Sequence, residues 1–511
     1  MHTLKELAYI VDKNKLKSIE VLDTSKKNRI TNFYEAILKN RFETEEEAIA
    51  HFFPDAENTA PYRKLKATLK KRLVNSLFFI DVKKPGYNDR QQAYFQCHKD
   101  WAAARMLLGK NAWGASVEIC ERILKYALKY EFTEMALDLL RILRLNSSTR
   151  LGDISKFEKY KKLFQEYEQI MLADNKAELL YSELVMYYVK NISTKDNLQQ
   201  QAIEYYEELK PNLGQFDSYK LHLYGGMIKL MIHTMVNDYT KAAKVCDEII
   251  EFFEKKPYDA NTPIQIAYYQ KLVCYSQLRQ FEKGRDAAER CISLIEEGNV
   301  NWFRYYELYF LLAMHTAKYQ EAYEVLRTVT SHSRYTFLPS HMQEVWTIYE
   351  AYIFYLVNIG KVKPAKGDGR FTKFRLGRFL NNTPIFSKDK RGLNVAILSI
   401  QILFLIQSKK HYQAIDSLEA IEKYCNRYLR QGDTMRSYYF IRMLLSIAEA
   451  SFHRGAVIRK AGKYIEKLKS IPMESASQPH KIEIIPYEQL WAFALDSLGK
   501  KPLIIPGNNL K

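Results

Sequence analysis

Cations interleaved with aromatic rings are the residues of this chain best suited to chemistry, and they lie in two runs. The first run, within residues 61–72, carries six basic side chains between evenly spaced leucines: Arg63, Lys64, Lys66, Lys70, Lys71 and Arg72. The second, residues 361–391, carries ten basic side chains against two acids, a net charge of +8. Its candidate contact residues are Arg370, Phe371, Lys373, Phe374, Arg375, Arg378, Lys390 and Arg391.

These two runs have three interpretations. Cations pair with phosphates and unpaired bases stack on rings, so the pattern suits single-stranded nucleic acid. It also suits an acidic protein partner. The third interpretation is structural: the second run is a solvated loop whose phenylalanines tuck under neighbouring helices. An inserted basic segment that interrupts a repeat array is a frequent place for binding.

Motifs for catalysis are missing from the sequence. There is no H-E-x-x-H, G-x-S-x-G or Walker A pattern. Gly367-Asp368-Gly369 is followed by Lys373, but it lacks the G-K-[ST] ending of a phosphate loop. The eleven histidines are scattered, and none has a histidine four positions away. We therefore expect no enzyme activity, no metal site and no cofactor.

The cysteines and the apolar segments indicate where the chain resides. The six cysteines form no C-x-x-C pair and are typical of reduced core residues in a cytosolic protein. The N-terminus lacks the apolar stretch of a signal peptide. Residues Val395 to Ile406 are too short to span a bilayer, which takes ~20 residues, and are expected to form a buried helix. We expect a cytoplasmic protein with no membrane insertion.

Tyrosine is abundant, at 37 of 511 residues, and several tyrosines are adjacent. Tyr187-Tyr188, Tyr305-Tyr306 and Tyr438-Tyr439 are examples. Such rings serve as anchors in binding grooves, but they also pack between long helices with the hydroxyl reaching the surface. Packing is the preferred interpretation for any single tyrosine.

The elements that must position these residues are helices. Glycine (19) and proline (14) are scarce, and from about residue 91 a helix of four or five turns is followed by a tight polar break and another helix. Among these we predict separate helices at 155–171 and 177–190, and a helix at 198–209 ended by Pro211 and Gly214. Residues 482–485 are the one weak candidate for a strand.

The breaks between paired helices share a signature of an aromatic residue followed three positions later by a small one. Tyr239-x-x-Ala242, Phe281-x-x-Gly284 and Tyr319-x-x-Ala322 are three copies, and His411-x-x-Ala414 is a weaker one. Antiparallel helices approach closely only where a small residue lies at the crossing. These residues resemble the tetratricopeptide repeat family, although the first three copies are 42 and 38 residues apart, longer than that family's period of about 34.

The resemblance implies an all-α, helical-hairpin (TPR-like) solenoid whose inner groove binds proteins or peptides. The predicted organisation is a helical N-terminal region at 1–90 with a basic amphipathic helix at 61–79, repeats at 91–360, a basic aromatic insertion at 361–392, and further repeats with a capping helix at 393–511. The leading hypothesis is a non-catalytic scaffold or adaptor for a protein or peptide partner. The alternative is a nucleic-acid-associated regulator or defence component that uses segments 61–72 and 361–391, consistent with a formal charge of +18.

Overall fold

A computed structural model describes residues 21–25, 27–39, 41–42, 44–55, 58–81, 88–190, 195–372, 393–428, 435–471 and 483–499. Over these residues the fold is all-α, as predicted, with helical hairpins following one another along the chain. The described part contains no β-strand, and its one β-bridge joins His453 and Gly499.

The chain divides into two compact units, and each is discontinuous in sequence. Unit 1 comprises Met1–Met186, Glu204–Gly225 and Glu254–Ala260, and unit 2 comprises Tyr187–Ile203, Gly226–Phe253 and Asn261–Lys511. The first ten described α-helices are α1 Arg29–Leu38, α2 Glu45–Phe52, α3 Ala60–Leu77, α4 Asp89–Gly109, α5 Trp113–Lys129, α6 Thr133–Asn146, α7 Ile154–Lys190, α8 Lys195–Gln215, α9 Tyr219–Thr234 and α10 Tyr239–Glu254. Of these, α10 is the last helix with residues in both units.

The rest of unit 2 continues the same hairpin pattern. Its helices are α11 Asn261–Gln277, α12 Phe281–Ser293, α13 Val300–His315, α14 Tyr319–Ser331, α15 Ser340–Asn358, α16 Gly369–Thr372, α17 Leu393–Gln407, α18 His411–Tyr428, α19 Met435–Glu449, α20 Arg454–Lys469 and α21 Tyr487–Asp496. From α11 to α15 each helix packs on the next, and the same holds from α17 to α20. Residues of α11 to α15 and α17 to α21 share one large apolar core.

The small residues of the repeated signature lie at close helix crossings. Ala242, Ala322 and Ala414 are fully buried. Gly284 in α12 is packed so tightly that an added Cβ would lie 2.4 Å from Leu312 Cδ2. Because α13 supplies Leu312, side-chain size at position 284 limits how closely α12 and α13 approach.

Two boundaries differ from the sequence-based prediction. The predicted helices at 155–171 and 177–190 are one continuous helix, α7. The intervening residues contain no glycine or proline, and Asp174 there is buried and accepts a hydrogen bond from Ser218 Oγ at 2.6 Å instead of capping a new helix. Pro211 lies inside α8, which continues to Gln215. Proline lacks a backbone N–H, so α8 continues past Pro211 with one i→i−4 hydrogen bond fewer.

The most apolar segment forms the predicted buried helix. In α17 every residue from Asn394 to Ile406 is buried except Gln401, which is half-buried and donates to Ser417 Oγ at 3.2 Å. Residue 482 of the weak strand candidate lies outside the described residues, and Glu483, Ile484 and Ile485 form no strand.

Candidate interaction surface

Three short helices, α1 to α3, form a small cluster in unit 1, and local sequence signals set where each begins. The Asn28 side chain caps α1 by accepting from the backbone N–H groups of Ile30 and Thr31 at 2.9 and 3.0 Å. Thr44 caps α2 by accepting from the Glu47 N–H at 3.3 Å. Pro61 lies in the first turn of α3, where its missing N–H costs no helical hydrogen bond.

The core of this cluster is small. It consists of five buried side chains: Phe33, Ala48, Tyr62, Leu65 and Leu69. The Phe33 ring packs edge-on against Tyr62, with 5.8 Å between ring centroids. The core occupies the N-terminal half of α3 only, because no buried residue of this helix follows Leu69.

Beyond that core the leucine stripe of α3 turns towards solvent. Leu65 and Leu69 are 8% and 2% exposed, whereas Leu73 and Leu77 are 36% and 61% exposed. A spacing of four residues advances the stripe by about 40° per step on an α-helix of 3.6 residues per turn, so the later leucines rotate away from the core. The result is an apolar strip of Leu73, Val74, Leu77, Phe78, Phe79 and Ile80, each more than one-third exposed.

A groove lies beside this strip, between α1, α2 and α3. It encloses about 590 Å³. Its lining is mainly apolar, with three charged side chains, and consists of Phe33, Ile37, Phe42, Thr44, Glu45, Ala48, Tyr62, Lys66, Leu69, Lys70, Leu73, Val74 and Leu77. The α3 residues of the lining run from Tyr62 to Leu77, which corresponds to about 22 Å of helix at ~1.5 Å per residue.

The six cations of the first basic run do not share one face of α3. Lys66 and Lys70 line the groove, and Lys66 pairs with Glu45. This carboxylate raises the pKa of Lys66. At about 100° per residue, Lys64 and Lys71 lie on the side of the helix opposite the groove lining. Arg63 is exposed at the edge of that lining, and Arg72 is half-buried. The structure therefore combines Lys66 and Lys70 with the apolar residues and separates Lys64 and Lys71 from them.

The described part of the second basic run, residues 361–372, is bound to α14. The Tyr323 hydroxyl donates to Asp368 Oδ2 at 2.9 Å and accepts from the Ala365 N–H at 2.9 Å. Phe371 is buried, with its ring 5.3 Å from the Tyr323 ring. Arg370 donates to Thr330 and Ser331 of α14 and lies 3.5 Å from Asp368. The Phe371 ring is thus part of the core and is not offered for base stacking.

The remaining candidates of that run lie outside the described residues. They are Lys373, Phe374, Arg375, Arg378, Lys390 and Arg391.

Among the tyrosines of the predicted pairs, Tyr305 is buried and Tyr187, Tyr306, Tyr438 and Tyr439 are half-buried. Tyr305 and Tyr309 of α13 are buried, and Tyr349, Tyr352 and Tyr355 of α15 are almost fully buried. Tyr188 is an exception, at 48% exposed.

The buried charges of unit 1 have structural partners. Lys256 donates to Glu131 Oε1 and Oε2 at 2.8 and 3.0 Å and to the Asp217 carbonyl oxygen at 2.9 Å. Glu131 also accepts from the Tyr219 N–H at 2.8 Å. The Arg90 guanidinium lies 3.9 Å from the Tyr219 ring centroid and donates to the Tyr130 carbonyl oxygen. This cluster joins the separate chain segments of unit 1.

A buried arginine performs a similar role in unit 2. Arg436 donates to Glu483 at 2.7 and 3.0 Å and to Glu488 at 2.9 Å. It also donates to the Leu468 carbonyl oxygen at 3.1 Å. Burial disfavours its charge, but the two carboxylates more than compensate and raise the pKa of Arg436. Arg436 therefore attaches the segment from Glu483 onward to α19 and α20.

A second, polar pocket of about 490 Å³ lies beside the C-terminal end of α14. Its basic side chains already face carboxylates: His332 Nε2 is 3.6 Å from Glu297, and Arg334 is 3.7 Å from Glu296. Across the described ranges, no group of three or more His, Cys, Asp or Glu side chains is arranged to hold a metal ion. The six cysteines are free and buried. None of the described helices is long and apolar enough to cross a membrane.

No family model matches this chain, and no curated protein matches it either. The groove and the apolar strip are therefore interpreted from their own geometry. The sequence prediction included Arg63 to Arg72 as contact residues but missed the strip, although the four-residue leucine spacing was its signal.

Proposed function

We propose that this protein is a non-catalytic interaction module that binds a protein partner, with the apolar strip and the adjoining groove as its contact surface. One observation carries the proposal. Six large apolar side chains within the eight residues from Leu73 to Ile80 are each more than one-third exposed. Contiguous exposed apolar surface is typical of protein–protein contact sites, because burying it in a complex is favourable by about 25 cal/mol per Å².

In this proposal, the helical hairpins of unit 2, which carry the TPR-like signature, act as a rigid scaffold. Arg436 and Lys256 are buried charged side chains, a kind of group that active sites often use, but both form structural ion pairs here. We also propose a cytoplasmic location, supported by six free cysteines.

The test is retention of a partner from the native host by the full chain and by two matched variants. Val74→Glu/Leu77→Glu adds two charges to the strip. Leu172→Glu/Leu179→Glu adds the same charges to apolar residues of α7 that are 59% and 66% exposed. We expect the first variant to lose a protein that the parent and the second variant both retain after nuclease treatment. Equal retention by all three proteins would contradict the proposal.

Nucleic-acid binding is the second candidate, and one observation favours it. Phe79 is 69% exposed, and Lys99 Nζ lies 5.9 Å from its ring centroid, so a ring and a cation are available together. Anisotropy of a labelled single-stranded oligonucleotide tests this candidate. Binding should weaken steeply with salt and fall further in Phe78→Ala/Phe79→Ala. If the oligonucleotide binds neither the parent nor this variant at low salt, the two rings do not serve nucleic-acid binding.

A further inference from the structure

The α3 side of the groove has the periodicity of a helix-binding surface. Its lining residues on α3 recur every three or four positions, and two of the recurrences are adjacent pairs: Tyr62, Lys66, Leu69-Lys70, Leu73-Val74 and Leu77. A second helix lying along α3 would meet this stripe continuously over about 22 Å, or roughly four turns. Three helices with one uncovered apolar stripe form an incomplete bundle, and a fourth helix would bury that stripe.

The charge of the groove selects the kind of helix. Lys66 and Lys70 lie one turn apart within the lining, and Glu45 is the one acidic side chain among the lining residues. Lys70 forms no ion pair with any residue that the structure describes. Lys66 pairs with Glu45, so the lining has a net charge of +1. An incoming helix therefore meets an apolar centre with a net positive charge beside it, in a chain whose formal charge is +18.

We propose that this groove receives one acidic amphipathic α-helix of a partner protein. This inference rests on the proposed function and names the partner's chemistry. The apolar residues of the incoming helix, spaced at i, i+3/i+4 and i+7, pack on Leu69, Leu73 and Leu77. Its carboxylates lie beside Lys66 and Lys70, one turn apart.

A polynucleotide fits this groove less well. Its phosphates would use Lys66 and Lys70 but would leave Leu73, Val74 and Leu77 in water. Among the other exposed cations of α3, Lys64 and Lys71 lie on the opposite side and cannot contribute to the same contact, which leaves Arg63 at the edge of the lining.

The test uses the full chain and labelled 18-residue synthetic peptides in fluorescence anisotropy. One peptide carries leucines at helical spacing flanked by glutamates, a second has the same composition in scrambled order, and a third has lysine in place of every glutamate. We expect the acidic helix to bind at least about tenfold more tightly than either control. That preference should shrink between low and high salt, because charges on a groove rim are screened.

Matched charge reversals on one helix locate the contact. Lys66→Glu/Lys70→Glu should weaken the acidic peptide about tenfold and improve the lysine peptide, since surface charge pairs contribute modestly and two are reversed. Lys64→Glu/Lys71→Glu makes the same change in net charge on the other side of α3 and should shift affinity by less than about threefold. Leu73→Glu/Leu77→Glu should abolish binding while the helical circular dichroism spectrum is retained, because both leucines are exposed.

Other occupants would give distinct results, and each would overturn the proposal. Equal weakening by the two lysine pairs would mean non-specific attraction. An oligonucleotide that binds and displaces the acidic peptide through Lys64 and Lys71 would indicate nucleic acid. A dimer in sedimentation velocity that Leu77→Glu dissociates, without peptide binding, would indicate a second copy. If Leu4→Glu/Leu7→Glu raised the peptide affinity more than tenfold, the occupant of the groove would be the chain's own first residues.

Failure of this inference is distinguishable from failure of the proposed function. If no peptide binds but Val74→Glu/Leu77→Glu still loses a host protein, the strip binds a partner of different chemistry. If neither assay responds, both are wrong.

Discussion

A single methyl group added at Gly284 should destabilise the protein, whereas the same change at Gly462 should stabilise it. Both glycines lie inside helices of unit 2, α12 and α20. A Cβ at Gly284 would lie 2.4 Å from Leu312 Cδ2 and 3.4 Å from Tyr275 Cβ, whereas a Cβ at Gly462 meets nothing within 4 Å. Leu312 is fully buried, so its side chain has little room to move away.

The magnitudes follow from two opposing effects. Replacing glycine by alanine inside a helix stabilises it by about 0.8–1 kcal/mol. Overpacking a close-packed core costs about 1–3 kcal/mol. Gly462→Ala should therefore raise the free energy of unfolding by nearly the full helical gain, and Gly284→Ala should lower it by about 1 kcal/mol. Urea denaturation followed by circular dichroism measures both, because both glycines belong to the same unit.

A double-mutant cycle tests the cause. Leu312→Ala alone should cost about 2–5 kcal/mol. In that background the obstructing methyl groups are absent, so Gly284→Ala should become stabilising. If Gly284→Ala stabilises the parent as much as Gly462→Ala does, the α12–α13 crossing is not tight and the explanation of the repeated signature is wrong.

Three further predictions concern the buried polar groups and the second basic run. Burial raises the pKa of Asp174 above the unfolded value of about 3.9, despite its hydrogen bonds with Ser218 and the Leu221 N–H. The stabilisation from this carboxyl is complete below that value and is lost as pH rises through the raised pKa. Asp174→Asn should therefore gain in unfolding free energy relative to the parent between pH 4 and pH 7, and a constant difference would refute the shift. Arg436→Met should cost about 3–5 kcal/mol by stranding the Glu483 carboxylate, with partial recovery on adding Glu483→Gln; thermal melts showing no recovery would argue against the ion pair as the cause. Phe371→Ala should cost about 3 kcal/mol because its ring is in the core, whereas Arg370→Ala should cost under about 1 kcal/mol, and equal melting temperatures would contradict the burial of Phe371.

The fold could be predicted from sequence because its local signals agree. The aromatic-x-x-small signature placed Ala242, Gly284 and Ala322 at close crossings, and Thr44 and Pro61 marked where α2 and α3 begin. The errors arose where tertiary contacts override a local signal. Asp174 looked like part of a break between helices, but hydrogen bonds from Ser218 and Leu221, more than forty positions away in sequence, hold it inside α7.

The candidate site was harder to predict. Counting cations on α3 suggested one basic face, but helical geometry distributes Lys66 and Lys70 to one side and Lys64 and Lys71 to the other. In the sequence, the leucines of α3 look equivalent. The structure shows that the core of the α1–α3 cluster ends at Leu69, so that Leu77 is exposed to solvent. The four-residue spacing of the leucines predicts that their stripe rotates by about 40° per step. It does not predict the lengths of the neighbouring helices α1 and α2.

The interleaved path of the chain through unit 1 has a consequence for its synthesis. Glu131 leaves the ribosome 125 residues before its partner Lys256, and Arg90 precedes the Tyr219 ring that covers it by a similar interval. Translation at about 5–20 residues per second separates Glu131 from Lys256 by many seconds. During that interval the nascent unit 1 holds Glu131 without its ammonium partner while parts of unit 2 are already being made. No single cut in the chain separates the units, so an expression fragment ending near residue 186 would lack Asp217, Tyr219 and Lys256 and should be recovered as an aggregation-prone intermediate.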